Sequence, residues 1–311
     1  MDNAALDGRN VRMLAESAVL FGGLFALCLW ADAHDLVAVA LLAGVAQGFW
    51  FQRLYVIGHE AAHRNLSPQR RVNDGLGQVA LAPLLIPMTV FRAIHRFHHG
   101  GNRRDARTSA LDVFVMPQGA GPLRRSLAWI TWYLAVFAGG WFLHGLVSVV
   151  LFLGMPPKLA RKVSPAFHRW ERADQARAIA GFGLGLALHL GVAWAFGVAG
   201  WFAALGVPFL TFAWVYSAQL YIYHYRTTMG PRVHFHARSV RASALVRWWL
   251  LNLPLHATHH RHPRVRWYEL QPEIELPPEF ERNRCDRSWI GAVFAQLAGP
   301  TLVTGSAGAR P

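Results

Sequence analysis

Two stretches of this chain, residues 126–157 and 178–225, contain no Asp, Glu, Lys or Arg. Apolar runs of about 18 or more uncharged residues read as membrane spans, so the sequence predicts an all-α integral membrane protein. Charged residues make up only 15% of the chain, against roughly 25% in soluble domains. The formal net charge of +14 would suit nucleic acid. However, the basic residues lie between apolar runs and no nucleic-acid motif accompanies them, so no nucleic-acid partner is expected. Cys28 and Cys285 offer no disulfide framework.

Charge and length set the expected topology. Two shorter apolar runs, 13–30 and 36–56, are joined by the acidic turn Asp32-Ala33-His34-Asp35 and read as a helical hairpin. The first exceeds the usual signal-peptide core of about 7–15 residues, so it is expected to be retained as a span. The run 178–225 is long enough for two helices turning near Gly197–Gly200. Every Lys and Arg then falls on one face, which the positive-inside rule assigns to the cytoplasm, with both termini. Residues 126–157 have basic flanks on both sides, which predicts a hairpin broken at Gly139-Gly140 that returns to the same face. Pro83 and Pro87 make 75–91 an interfacial or buried segment rather than a span. The fold class is thus about four transmembrane helices in two hairpins, a re-entrant or interfacial hairpin, and a cytoplasmic His-rich helical cap. Residues 1–300 read as one membrane-embedded domain, with cap segments 57–125 and 224–300 and a disordered tail 301–311.

Eight of the 16 histidines fall in three clusters: His59-Glu60-Ala61-Ala62-His63, His95-Arg96-Phe97-His98-His99 and His256-Ala257-Thr258-His259-His260. At this histidine frequency, chance supplies roughly 0.04 copies of H-x-x-H-H in such a chain; there are two. On a helix, residues i, i+3 and i+4 share a face, so each H-x-x-H-H is expected to present three imidazoles toward one point. Each cluster follows an apolar segment, and all three are expected to converge at the cytoplasmic surface. Imidazole suits Fe, Zn, Cu and Ni, and eight ligands exceed the needs of one ion, so two metals are implied. His224 lies at the inner end of the last span and is a ninth ligand candidate. His144 and His189, inside apolar runs, read as hydrogen-bonded core residues. His34 and His168 read as surface groups, and His234, His236 and His262 as exposed groups or supports of the ligands.

These residues resemble the membrane-bound fatty acid desaturases, in the superfamily that also holds alkane and carotenoid hydroxylases and ketolases. The three histidine boxes correspond to His59/His63, His95/His98/His99 and His256/His259/His260, and the resemblance covers roughly residues 36–272. The third box has the wider form of many bacterial members, Asn252-Leu-Pro-Leu-His256-Ala-Thr-His259-His260-Arg-His-Pro263. The resemblance implies a diiron centre held by the eight histidines and, by position, His224, in a bacterial inner membrane. It also implies dioxygen as co-substrate and supporting roles for Glu60, Asn102, Asp105 and Asn252. The first box has three residues between its histidines where many acyl desaturases have four, and the third lacks their leading Gln. The substrate is therefore an acyl lipid, an alkane or a carotenoid, and the outcome is a double bond, a hydroxyl or a ketone. No His-Pro-Gly-Gly haem signature occurs, so electrons are expected from another protein, such as a ferredoxin with its reductase. Arg64, Arg70, Arg71, Arg103 and Arg104 are candidate contacts for a substrate headgroup. His59-Glu60-Ala61-Ala62-His63 is also the H-E-x-x-H of zinc metalloproteases, but an intramembrane protease would leave both H-x-x-H-H clusters unexplained. A transporter would call for a set of acidic residues or histidines inside the spans, and Glu16, His144 and His189 are few for that.

Overall fold

The computed structural model describes residues 6–101, 103–105, 115–116, 119–272, 275–300 and 303–304. Helix α1 (Gly8–Ala33) starts where the Asp7 carboxylate accepts the Arg9 amide at 2.9 Å, the usual way to satisfy a free first-turn N–H. It reverses through 34–36 into α2 (Val37–Ala62), the hairpin read from the sequence. Helix α2 continues past residue 56, the expected end of its apolar run, so the first histidine pair sits on its last turn rather than beyond it. Residues Trp50–Ala62 are all buried, whereas Leu41 and Leu42 on the first half are exposed.

Helix α3 (Arg70–Leu81) continues as a short 3-10 turn to Leu84, and the chain then bends by 98° into α4 (Met88–Gly100). Leu85 takes a left-handed conformation and Pro87 caps α4. The two prolines thus stand at a corner between the helices. Helices α5 (Pro122–Phe137) and α6 (Gly140–Gly154) meet at 88° across Gly139, whose φ is +79°. Helix α7 (Pro157–Val163) leads to α8 (Arg172–Trp201), which is interrupted at Gly197 with φ 73° and ψ 175°. Trp201 Nε1 donates to His189 Nδ1 at 3.2 Å. In a continuous helix these residues would stand about 18 Å apart, so the chain reverses at Gly197, within the expected turn. One π-helical turn, Phe202–Gly206, leads into α9 (Val207–Leu220). The remaining helices are short: α10 (Ala244–Trp249), α11 (His256–Arg261) and α12 (Trp289–Ala295).

Among the described residues three stretches are long and apolar enough to cross a membrane, Gly8–Ala33, Val37–Ala62 and the 49 residues Arg172–Leu220, the last containing the Gly197 break, and the bent pairs α3–α4 and α5–α6 raise the number to five if each is one span. Their outward surface is apolar, with Trp194 at 90% exposure, Leu42 at 72% and Leu190 at 61%. A surface of this kind belongs in a bilayer. Helix α2 is central, packing on α1, α3 and α9. Residues 303–304 pair in parallel with 115–116, and the other residues of the tail 301–311 lie outside the described residues.

Arg53, expected at the cytoplasmic edge, is instead 1% exposed inside the helix bundle. It donates to Ser17 Oγ at 2.9 Å and to the Trp248 carbonyl, and its guanidinium lies against the rings of Trp50 and Trp248. It ties α10 to the α1–α2 hairpin. His189 is buried as read, bonded to the Pro83 carbonyl at 3.0 Å. His144 departs from its expected core role and is exposed on α6.

Candidate metal centre

Helix ends and their caps bring the three boxes together. The carbonyl of Ala61 at the end of α2 accepts from Asn73 Nδ2 of α3 at 2.8 Å and from Arg92 of α4 at 3.0 Å. Arg92 in turn grips the Asp74 carboxylate with two N–H groups at 2.5 and 2.9 Å. The helix end that carries His59 and His63 is thereby fixed to the helix that carries His95, His98 and His99. Helix α3 approaches closely at Gly77, where a Cβ would stand 2.5 Å from Ala61 Cβ and 2.9 Å from Met88 Sδ. Asn65 bonds the Pro263 and Val265 carbonyls at 3.2 and 3.4 Å, joining the chain after α2 to the chain after α11.

The nine candidate histidines converge, but not as three imidazoles per box. Ring nitrogens of His59, His63, His95, His99 and His259 form one group, and those of His98, His224, His256 and His260 form another. Within each group they lie within 4.8 Å of one another. Each H-x-x-H-H is therefore split: its i and i+4 members share a group while its i+3 member joins the other. Helical geometry accounts for this. At 3.6 residues per turn, i and i+4 are about 40° apart and i+3 lies about 60° to the opposite side. The two boxes exchange their odd members, so α4 gives His98 to the second group and α11 gives His259 to the first. The rings of His99 and His260 stack at 4.1 Å where the groups meet.

The donor set fits cations. In the first group His95 Nε2 faces His63 Nε2 at 2.7 Å and His99 Nε2 at 3.1 Å, and His99 Nε2 faces His259 Nε2 at 3.2 Å. In the second, His260 Nε2 faces those of His98 and His256 at 3.1 Å each, and His224 Nε2 faces His256 Nε2 at 3.2 Å. His59 Nε2 is buried without any partner among the described residues. Each nitrogen of a neutral imidazole is either a donor or an acceptor, so one nitrogen facing two others cannot satisfy both. Burial, reinforced by neighbouring histidines, holds His256, His259 and His260 well below the ordinary imidazole range and His63 at about 3. Burial lowers His224 in the same direction. These rings are neutral at pH 7, the form that binds metal.

Outer contacts orient several rings. The His224 Nδ1–H donates to the His236 carbonyl at 2.9 Å, which leaves the Nε2 lone pair directed at the second group. The His236 ring is held by Thr228 Oγ1 at 2.7 Å and the Gly230 carbonyl at 2.9 Å. Glu60 Oε1 lies 3.3 Å from His59 Nδ1 while Asn65 donates to its other oxygen at 3.2 Å. Arg103, read as a headgroup contact, is instead 3% exposed. It donates to the carbonyls of Thr227 and Thr228 at 2.9 and 3.2 Å and reaches Tyr221 Oη at 3.4 Å, pinning the segment around His224 to the end of α4. Asn252 does not reach the histidines: its φ is +57° and its amide donates to the Trp267 carbonyl at 2.9 Å, shaping the turn before α11. Asp105 is half-buried past the end of α4, and Asn102 lies outside the described residues. His234 and His262 contribute no ring nitrogen to either group.

Helix α4 separates two cavities. On its inner face an apolar cavity of about 210 Å³ runs between α2, α4, α6 and α9, walled by residues such as Phe91, Trp141, Phe142 and Tyr216. His59, His95, His98, His224 and His256 form its other end. On the outer face of α4 a groove of about 1280 Å³ is lined with arginines. Of these, Arg64, Arg71, Arg96 and Arg169 have no carboxylate partner among the described residues, since Asp74 pairs with Arg70 and Arg92, and Asp174 with Arg177.

Comparison with known proteins agrees with this arrangement. The family model for fatty acid desaturases matches residues 35–285. An acyl-lipid (9+3)-(E)-desaturase of Dimorphotheca sinuata is 36% identical over 135 residues, covering 42% of this chain and 32% of the relative. An sn-1 acyl-lipid omega-3 desaturase (ferredoxin) of Nostoc sp. (strain 36) is 32% identical over 26% of this chain and 22% of its own length. A chloroplastic omega-3 fatty acid desaturase of Glycine max is 28% identical over 58% of this chain and 39% of its own length. The matched segments thus span about a fifth to two fifths of these relatives.

Proposed function

Because the chain belongs to the fatty acid desaturase family, we propose that its nine clustered histidines hold two iron ions and that the centre desaturates a lipid acyl chain lying in the apolar cavity. His59, His63, His95, His99 and His259 would hold one ion, and His98, His224, His256 and His260 the other. The observation that carries this reading is that both groups open onto the same apolar cavity. Bound iron would supply the two-electron activation of dioxygen that removal of hydrogen from an unactivated C–H bond requires. In the balanced reaction the chain loses two hydrogens and dioxygen, with two external electrons and two protons, becomes two waters.

The protein's own part is binding, orientation and exclusion of water. Phe91, Phe142 and Tyr216 wall the chain's path, and Phe91 stacks on His95 with ring centroids 5.4 Å apart. The His236 carbonyl and Glu60 hold ring orientations, as outer contacts of metal ligands do, and Arg103 fixes the segment that follows His224. Electrons would come from an acidic carrier such as a ferredoxin, drawn to the cationic groove on the outer face of α4. That helix bears His95, His98 and His99 on its other side, so the carrier would dock about one helix diameter, 10 Å, from the metals. The name of the Nostoc relative, which includes ferredoxin, supports this choice of donor.

The test is lipid mass spectrometry of membranes from cells expressing the chain with a ferredoxin and its reductase, against a His98→Ala control. We expect lipids lighter by two hydrogens that are absent from the control. Lipids heavier by one oxygen would refute desaturation and make the centre a hydroxylase, and full turnover by the His98→Ala protein would refute the ligand assignment.

A further inference from the structure

Two carboxamides line the apolar cavity and are out of keeping with it. Gln52 on α2 is 1% exposed and Gln219 on the last turn of α9 is 2% exposed, and both line the cavity. Neither amide oxygen has a hydrogen-bond partner among the described residues. Ser148, another polar group in the lining, is satisfied within its own helix by the His144 carbonyl at 2.8 Å. A buried carboxamide left unpaired is costly, and two of them on packed, facing helices are hard to account for as wall. Buried polar groups of this kind in an otherwise apolar pocket are the usual means of fixing a ligand's orientation.

The depth of Gln52 in the cavity follows from its place on α2. Gln52 lies seven residues before His59 on the same face of α2, with Tyr55 between them. That spacing places it about 10 Å along the helix from the histidines. Gln219 comes three residues after Tyr216 and five before His224. An extended chain advances about 1.2 Å per bond, so a carbon level with Gln52 is on the order of eight bonds from the carbon at the histidines.

We propose that Gln52 and Gln219 form a recognition site for a hydroxyl carried on the substrate's hydrocarbon chain, so that the preferred substrate is an oxygenated chain rather than a plain one. A carboxamide presents one acceptor oxygen and two donor hydrogens, and a hydroxyl both donates and accepts. The hydroxyl therefore matches the amides in either orientation, whereas a methylene leaves them unpaired. Sites built to hydrogen-bond a substrate hydroxyl discriminate strongly against the analogue that lacks it. This inference rests on the reading of the cavity as the chain's binding site.

The experiment uses the full chain, iron-loaded in lipid nanodiscs and kept anaerobic without reductant, so that binding is read without turnover. Displacement of cis-parinarate is measured for octadecanoate and for a series of hydroxyoctadecanoates with the hydroxyl walked along the chain. We expect one position, or two adjacent ones, to bind roughly ten-fold more tightly than octadecanoate. Gln52→Leu and Gln219→Leu should each erase part of that increment, and the pair should erase all of it. Equal affinity at every position would overturn the proposal in the wild-type protein alone, whether or not the variants fold. A preference that survives in the double variant would overturn it as well. If octadecanoate and the whole series fail to displace the probe, the cavity reading falls together with this one.

Discussion

Replacing Arg103 with Met tests how the His224 segment is held. The guanidinium is buried and bonds two carbonyls that follow His224, those of Thr227 at 2.9 Å and Thr228 at 3.2 Å, while Gly230 N donates back to the Arg103 carbonyl at 3.0 Å. Hydrogen bonds to a charged donor contribute about 1.5–3 kcal/mol each. Replacing a buried ion with an apolar side chain of similar volume recovers part of that through the avoided desolvation. A net loss of about 2–4 kcal/mol therefore falls on one segment rather than on the whole fold. We expect Arg103→Met to retain α-helical content, to lower the thermal midpoint by on the order of 5 °C, and to lose iron chiefly from the group containing His98, His224, His256 and His260. Circular dichroism on the purified protein, with iron measured by inductively coupled plasma mass spectrometry, reads both effects. Full iron content with an unchanged midpoint would refute the role assigned to Arg103.

Other consequences follow from the same contacts. Gly77→Val should force α3 away from α2, because a Cβ there already meets Ala61 Cβ at 2.5 Å; a cost of about 1–3 kcal/mol should appear as reduced yield of folded protein in fluorescence size-exclusion, and wild-type yield would contradict it. In the metal-free chain His63 is held at about 3 against an ordinary 6.5, so between those values the unfolded chain binds more protons than the folded one. Stability should accordingly be complete above about pH 6.5 and decline as pH falls toward 3, with His224, His256, His259 and His260 acting in the same direction. Thermal midpoints of the chelator-treated protein across that range check this, and a flat profile would contradict it.

Much of this arrangement was legible because it rests on short-range rules. The uncharged run 126–157 with basic flanks predicts a hairpin broken at Gly139-Gly140, and a break of 88° does fall at Gly139, where φ is positive. The reversal at Gly197 follows from a run too long for one crossing. Histidine spacing identified eight of the residues that cluster, and His224 was found only by its place at the end of the last span. The division of each H-x-x-H-H between two groups was not legible as three imidazoles on one face, because the 100° between i+3 and i+4 matters once two centres sit side by side. Arg103 misled because a buried arginine that caps carbonyls has the same local sequence as an exposed one. Its carbonyl partners are more than 120 residues away, at |i−j| of 124 and 125. The His236 carbonyl left no sequence signal at all, since any residue supplies a carbonyl. Gln52 and Gln219 could have been noticed as polar residues within apolar helices, but only the fold shows that they share a cavity.

The central claim is that two iron ions sit side by side in the nine-histidine cluster, and metal content tests it most directly. Protein purified without a metal-affinity step from iron-replete cells should carry about two irons per chain, with no zinc above trace. A single metal per chain, or zinc in place of iron, would contradict the account.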